Sequence, residues 1–278
     1  MTAMTCPTSK LEKLLVSIDG SEFSEGAVRE AIGLAKTCKS KLFAVSVVET
    51  NDEFEALAPD LVEKAEKETK ALLDSVKERA KKEGVDCETI AHEGQEPYRF
   101  VVEEAAKRQA EMIIMGRRGR TGIKRLMMGS VTAKVIGHAP CKVLVVPKAA
   151  KVEYKNILIA TDGSHYSEAA VREAIGIAKK CGSKVAAICV ATSEAVADLA
   201  KKNVDKVAEI GKAEGVTVEA ILGTGIPYDT IVETAKKRGS DLIVVGTHGR
   251  KAIERLLMGK VAERVVGHAD CAVLVVKA

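Results

Sequence analysis

A chain of 278 residues is long enough for two domains of ordinary size, and 46% hydrophobic against 29% charged residues supplies real cores and excludes a disordered chain. Lysine and arginine outnumber aspartate and glutamate by only 43 to 39, and aromatics are 3% with no tryptophan, so neither a nucleic-acid surface nor a base-stacking platform is expected. No apolar run reaches the ~18 residues of a membrane span and the first residues, MTAMTCPTSKLEK, lack a secretory signal's apolar stretch, so the expected address is the cytoplasm.

In chain order, short apolar runs alternate with helical periods. Leu14 to Ile18, Leu42 to Val48, Glu88 to Ala91, Met112 to Met115 and Val143 to Val146 have the length of strands buried on both faces. Between them, Val28, Ala31, Ile32 and Ala35 recur at helical spacing, Leu61, Ala65, Glu68 and Leu72 do so more loosely, and Phe100, Val101, Glu104 and Ala105 open a further helix. Glu63 to Glu68 mixes both charge signs and reads as a solvated helix face with an i, i+4 pair of Glu63 and Lys67.

The pattern is then written a second time. Asp19-Gly20-Ser21 returns as Asp162-Gly163-Ser164, and Val28 to Gly33 returns letter for letter as Val171 to Gly176. From Gly116 to Val146 against Gly246 to Val276, 18 of 31 positions are identical. The second copy is shorter in its middle, and the missing residues are expected between Thr50 and Pro59, opposite Thr192-Ser193. Strand–helix alternation of this kind predicts an α/β fold of two tandem three-layer α/β/α domains, each with a five-stranded parallel sheet, over residues 1–148 and 152–278. Pro147 to Lys151 is the linker.

Ligands of open α/β sheets sit at the carboxyl ends of strands where the winding reverses. Asp19-Gly20-Ser21 follows the first strand, and Gly116-Arg117-Arg118-Gly119 follows the fourth; Gly129-Ser130-Val131 then opens a helix whose free amides and positive dipole end suit a phosphate. Arg117, Arg118, Arg120, Lys124 and Arg125 add local positive charge. The spacing Gly-x2-Gly-x9-Gly-Ser is neither the Gly-x-Gly-x-x-Gly dinucleotide pattern nor a Walker A loop. Plainer readings stand beside this one. Ser130 serves as a helix N-cap, Asp19 as an Asx-turn residue, Gly119 and Gly122 as turn residues, and the arginines, Arg117 and Arg118 above all, as a solvated face. His138 and His268, at equal positions, are assigned to helix C-termini, and Met127, Met128 and Met258 to packing. The seven cysteines, Cys6, Cys38, Cys87, Cys141, Cys181, Cys189 and Cys271, contain no Cys-x-x-Cys pair and are read as reduced, mostly buried thiols.

On the acidic residue after strand one, the spaced glycines after strand four and the terminal Val-Leu-Val-Val, the chain resembles the universal stress protein family, as a tandem two-domain member of its ATP-binding branch. The resemblance implies a Rossmann-like domain of the adenine nucleotide alpha hydrolase type. It also implies that Asp19 lines a nucleoside pocket, that the backbone of Val47 recognises adenine, and that Gly116, Gly119, Gly129, Ser130 and Val131, with Arg120 toward the phosphates, hold ribose and phosphate. Copy two supplies Asp162, Val190, Gly246, Gly249, Gly259 and Val261, but Lys260 stands where the motif has Ser or Thr, and either pairs with a phosphate or blocks it. The implied ligand is ATP, ADP or AMP, with Mg2+ as a candidate companion at Asp19, and the implied role is that of a stress-response sensor or regulator with a protein partner of unstated identity. The implied assembly is an internal pseudo-dimer sealed through Val143 to Val146 and Val273 to Val276, with a homodimer as a further option. A slow ATPase or a phosphoryl or nucleotidyl transferase in the same pocket, and a nucleotide-free docking module, are the alternatives.

Overall fold

The computed structural model describes residues 5–8, 11–119, 128–250 and 258–278. The first half runs β1 (Lys13–Ser17), α1 (Glu25–Cys38), β2 (Lys41–Val48), α2 (Asp52–Leu57), α3 (Pro59–Lys82), β3 (Cys87–Glu93), α4 (Pro97–Arg108), β4 (Met112–Gly116), α5 (Ser130–His138) and β5 (Lys142–Val146). The second runs β6 (Asn156–Ala160), α6 (His165–Cys181), β7 (Lys184–Ala191), α7 (Ala197–Ala213), β8 (Val218–Thr224), α8 (Pro227–Arg238), β9 (Leu242–Gly246), α9 (Lys260–His268) and β10 (Ala272–Val276). Within each half the strands are parallel, and the full order is β3-β2-β1-β4-β5-β10-β9-β6-β7-β8.

Side chains alternating along the central strands feed a core on each face of the sheet. Leu14, Val16, Leu42, Ala44, Ile114 and Leu144 pack with residues of α1, α3 and α6 on one face. Leu15, Phe43, Val45, Ile113, Val143 and Val145 pack with residues of α4, α5, α8 and α9 on the other. Central strands covered on both sides need near-continuous apolar sequence, which is why those runs were legible; β3 lies at the sheet edge instead, with Glu88 to Ile90 half-buried and Ala91 exposed, so it is not a strand buried on both faces.

The two sheets are one. β5 and β10 pair antiparallel, Leu144 opposite Leu274, so each half closes the other's terminal edge. Lys142 pairs with Glu173 across the join at 2.6 Å, and Arg29 of α1 donates to the Lys148 and Ala150 carbonyls of the linker.

Some local expectations need correcting. The core face of α3 is Val62, Thr69, Leu73, Val76 and Ala80, while Leu61 is 58% exposed, so the loose period was placed one residue early. The length difference between copies takes in α2 together with the first two turns of α3, which is 24 residues long against 17 in α7. Cys6 and Cys38 form a disulfide, and so are not reduced thiols. The segment around Pro7 lies against the end of α1, a proximity with no signature at a spacing of 32 residues. Of the free cysteines, Cys87 and Cys189 are buried, and Cys141, Cys181 and Cys271 are half-buried. The Glu63–Lys67 pair forms at 2.5 Å on an exposed face. Among the described residues no helix is long and apolar enough to cross a membrane.

Candidate functional site

The winding reverses between β1 and β4, which are hydrogen-bonded neighbours, so the loops leaving their carboxyl ends face one another. After β1 the chain turns at Asp19-Gly20, where a φ of 76° at Gly20 favours glycine; Gly163 repeats it with the same value. The Asp19 carboxylate accepts from the Ser21 amide at 3.0 Å and its hydroxyl at 2.7 Å, so the Asx-turn is real. Its other oxygen faces Gly119, where an added Cβ would lie 2.7 Å from Oδ2. Asp19 and Gly119 therefore form one wall, brought together from positions a hundred residues apart.

The loop after β4 closes on itself. The Gly129 amide donates to the Arg117 carbonyl at 2.9 Å, and the Thr132 hydroxyl donates to the Gly116 carbonyl at 3.1 Å, fastening the start of α5 to the end of β4. Gly129, not Ser130, is the N-cap, so the N-cap reading of Ser130 fails; Ser130 is the first helical residue and is exposed. A glycine cap brings no side chain to the amides of Ser130, Val131 and Thr132, which head the helix dipole. Val131 is half-buried beside them, and Val47, at the carboxyl end of β2, is half-buried opposite His92 of β3.

The glycines of this motif answer to different demands. At Gly116 an added Cβ would lie 2.6 Å from the Phe23 carbonyl, so glycine there is needed by packing of β4 against the β1–α1 loop. At Gly119 it would meet the Asp19 carboxylate. At Gly129 the nearest atoms would be 3.5 to 3.6 Å away, ordinary contact, and its φ of −65° with ψ of 146° is open to any residue. The fold alone does not require glycine at 129, and a Cβ there would narrow the approach to the α5 amides.

Copy two repeats the frame. Gly259 donates to the Thr247 carbonyl at 2.8 Å, a Cβ on Gly249 would lie 2.7 Å from Asp162 Oδ2, and one on Gly246 would lie 2.5 Å from the Tyr166 carbonyl. Asp162 accepts from the Ser164 amide at 3.0 Å and the Arg250 amide at 2.8 Å. Burial works to raise its carboxyl, but the Ser164 side chain together with these amides outweighs it and holds Asp162 below the ordinary aspartate value. Lys260 is exposed at the first turn of α9, Val261 is 42% exposed, and Val190 is half-buried at the end of β7. Asn203 of α7 enters from the side and donates to the Asp162 carbonyl at 2.9 Å; its counterpart in α3 is Leu72.

Arg117 does not contribute to the cleft. Its guanidinium spans the join and donates to the Ala269 carbonyl at the end of α9, 2.7 Å away, where burial and the neighbouring Arg118 lower its proton affinity. At the position equivalent to Arg117, copy two has Thr247, and the end of α5 is held instead by Lys277, which donates to the Gly137 and Ala139 carbonyls at 3.0 and 2.6 Å. Neither the solvated-face reading nor the ligand reading of Arg117 holds. Arg118 lies over the Phe23 ring at 6.0 Å. Arg120, Gly122, Lys124, Arg125, Met127 and Arg255 lie outside the described residues. His138 and His268 end their helices with Nδ1 at 2.8 and 2.7 Å from the carbonyls of Lys134 and Arg264, and Met258 is buried. Sequence reasoning missed Thr132, Phe23, Tyr166 and Asn203; Thr132 sits in a first helical turn that already carried a signal, whereas Asn203, opposite Leu72 in the other copy, could not be flagged by recurrence. Among the described residues no cluster of three or more His, Cys, Asp or Glu side chains is arranged to hold a metal.

Comparison with known proteins agrees with this architecture. The model of the universal stress protein family matches residues 10–147 and again 153–277. A universal stress protein of Methanocaldococcus jannaschii is 40% identical over a match covering 45% of this chain and 82% of the relative. A Staphylococcus aureus relative described in the same terms is 36% identical, with 45% and 86% covered. The crystal structure of a universal stress protein from Archaeoglobus fulgidus superposes over 96% of this chain and 99% of its own, with a TM-score of 0.75 at 21% identity, a likeness of fold. With two family matches spanning nearly all of its length, the chain belongs to the universal stress protein family.

Proposed function

We propose that this is an adenine-nucleotide-binding protein of the cytoplasm, a sensor or regulator in stress response, whose ligand is ATP, ADP or AMP and whose principal site is in copy one. In this reading Asp19 and Val47 hold the nucleoside, Gly116, Gly119, Gly129, Ser130 and Val131 hold ribose and phosphates, and the charge of Arg120 is assigned to the phosphates. Asp162, Val190, Gly246, Gly249, Gly259 and Val261 form the corresponding second site, within units of 1–148 and 152–278.

One observation carries the reading. Gly129 caps a helix with backbone angles and space that would admit a side chain, yet it is the residue that leaves the α5 amides open. Backbone donors at a helix origin favour a phosphate through both hydrogen bonding and the macrodipole. The Ser130 hydroxyl, exposed in the same turn, adds a donor; Lys260 replaces it in copy two with a long cation.

The test is direct. Purified protein is denatured and any released nucleotide identified by mass spectrometry, and ATP, ADP and AMP are titrated by calorimetry into nucleotide-free protein. Binding of at least one adenylate per chain, lost in Gly129→Val while the fold is kept, is the expected result. Equal affinities for wild type and Gly129→Val refute the site.

A further inference from the structure

The repeat places Cys38 and Cys181 at equivalent positions, each the last residue of its helix, α1 and α6. Cys6 belongs to neither repeat and is bonded to Cys38. The Cys181 thiol donates to the carbonyl of Thr5, sulfur to oxygen 3.9 Å, and that carbonyl is part of the peptide group joining Thr5 to Cys6. The free thiol is therefore one peptide group away from a disulfided residue. Cys6, Cys38 and Cys181 are all half-buried, within reach of solvent, and a cleft of about 500 Å³ lined by Thr5, Cys6, Cys38, Lys39 and Lys180 opens beside the bond.

We propose that Cys6, Cys38 and Cys181 form a thiol–disulfide exchange site in which Cys6 is shared between the two pseudo-equivalent helix ends. Cys181, as the thiolate, attacks the Cys6 sulfur in line with the existing bond. The Cys6–Cys181 bond forms, the Cys6–Cys38 bond breaks, and the electron pair leaves on Cys38, which takes up the proton Cys181 released. No electrons enter or leave the protein, so the step is an isomerisation and requires no external oxidant or reductant. Its consequence is mechanical: the segment around Pro7 is held at the end of α1 in one isomer and at the end of α6 in the other.

The chemistry sets the conditions. Exchange needs thiolate, and burial raises the Cys181 thiol while Lys180 opposes the rise, so the rate increases as pH rises through the alkaline range. The remaining free thiols are poor competitors. Burial pushes Cys87 and Cys141 up to about 11 and Cys271 to about 12, and Cys189 is also raised and is enclosed by the β7–α7 packing.

The experiment is disulfide mapping on the full chain. Protein held at mildly alkaline pH without reductant is quenched with acid, alkylated, digested and examined by mass spectrometry. The wild type is expected to yield both Cys6–Cys38 and Cys6–Cys181 peptides, with the third cysteine alkylated in each. Cys38→Ser and Cys38→Ala are both expected to move the whole of Cys6 into the Cys6–Cys181 bridge, and Cys181→Ser to leave Cys6–Cys38 alone. Cys6 recovered as a free thiol in the wild type, a Cys38–Cys181 or intermolecular bridge in its place, or Cys6–Cys38 as the sole wild-type species would each overturn the proposal.

Discussion

The two halves close their candidate sites with the same backbone bond, Gly129 to Arg117 in one and Gly259 to Thr247 in the other, and then line those sites with different side chains. Most of the recurring site glycines are ones the fold needs, and Gly129 is the exception. A Cβ at Gly116 or Gly246 would strike a carbonyl at 2.6 or 2.5 Å, and one at Gly119 or Gly249 would strike an aspartate oxygen at 2.7 Å in both copies. Residues that differ include Ser130 against Lys260 at the helix origin, Leu72 against Asn203, and Phe23 with Arg118 against Tyr166 with His248. Recurrence within one chain therefore does not by itself separate what packing demands from what a ligand demands, and the space a Cβ would meet does.

The sharpest way to break this comparison is at the recurring glycines. Gly116→Val and Gly246→Val push a side chain into backbone that has no freedom to retreat, and each is expected to cost about 3 kcal/mol of stability in urea unfolding, with or without nucleotide. A wild-type midpoint for either would remove the packing account. Gly129→Val should behave in the opposite way. Its stability is expected within ~0.5 kcal/mol of wild type, while adenylate affinity falls at least about tenfold, ~1.4 kcal/mol, in calorimetry.

Much of this frame was legible in the sequence. The repeated Val-Arg-Glu-Ala-Ile-Gly and the doubly apolar strands declared two α/β units, because a strand covered on both faces has no polar positions to blur the pattern. The spaced glycines located the switch-point loops. What could not be read were relations across space. Arg117 looks like one of a run of ligand-facing cations until the join brings the end of α9 against it, and Cys6 acquires a partner only because the segment around Pro7 turns back on α1. The face of α3 was misplaced by one residue because Leu61 and Val62 are both apolar and adjacent, and only packing against the sheet decides which goes in.

Exchanging the divergent residues sharpens the contrast further. Ser130→Ala is expected to weaken adenylate binding by roughly 1–2 kcal/mol, the value of a hydrogen bond to a charged acceptor, and to leave stability unchanged. Arg117→Met tests the join instead. It leaves the Ala269 carbonyl without its guanidinium partner, and a loss of about 1 kcal/mol in urea unfolding is expected, with Lys277→Met at least as costly because that ammonium serves two carbonyls. If both variants unfold at the wild-type midpoint, the unequal capping of α5 and α9 has no energetic weight.

The smallest effect belongs to acid. Asp162 is held below its reference value of 3.8 in the folded state, first by the Ser164 side chain and then by the Arg250 and Ser164 amides, which together outweigh its burial, so in the window below that value the unfolded chain binds more protons than the folded one. Stability from this carboxylate is therefore full above about pH 3.8 and drains away as pH falls through the lower, folded value. Asp162→Asn abolishes the charge and with it this proton uptake, so the plot of urea midpoint against pH should be flatter at its acid end than that of the wild type. Parallel acid limbs would mean that these donors hold the neutral and charged forms alike. The second copy's acidic wall would then be a geometric feature with no electrostatic preference of its own.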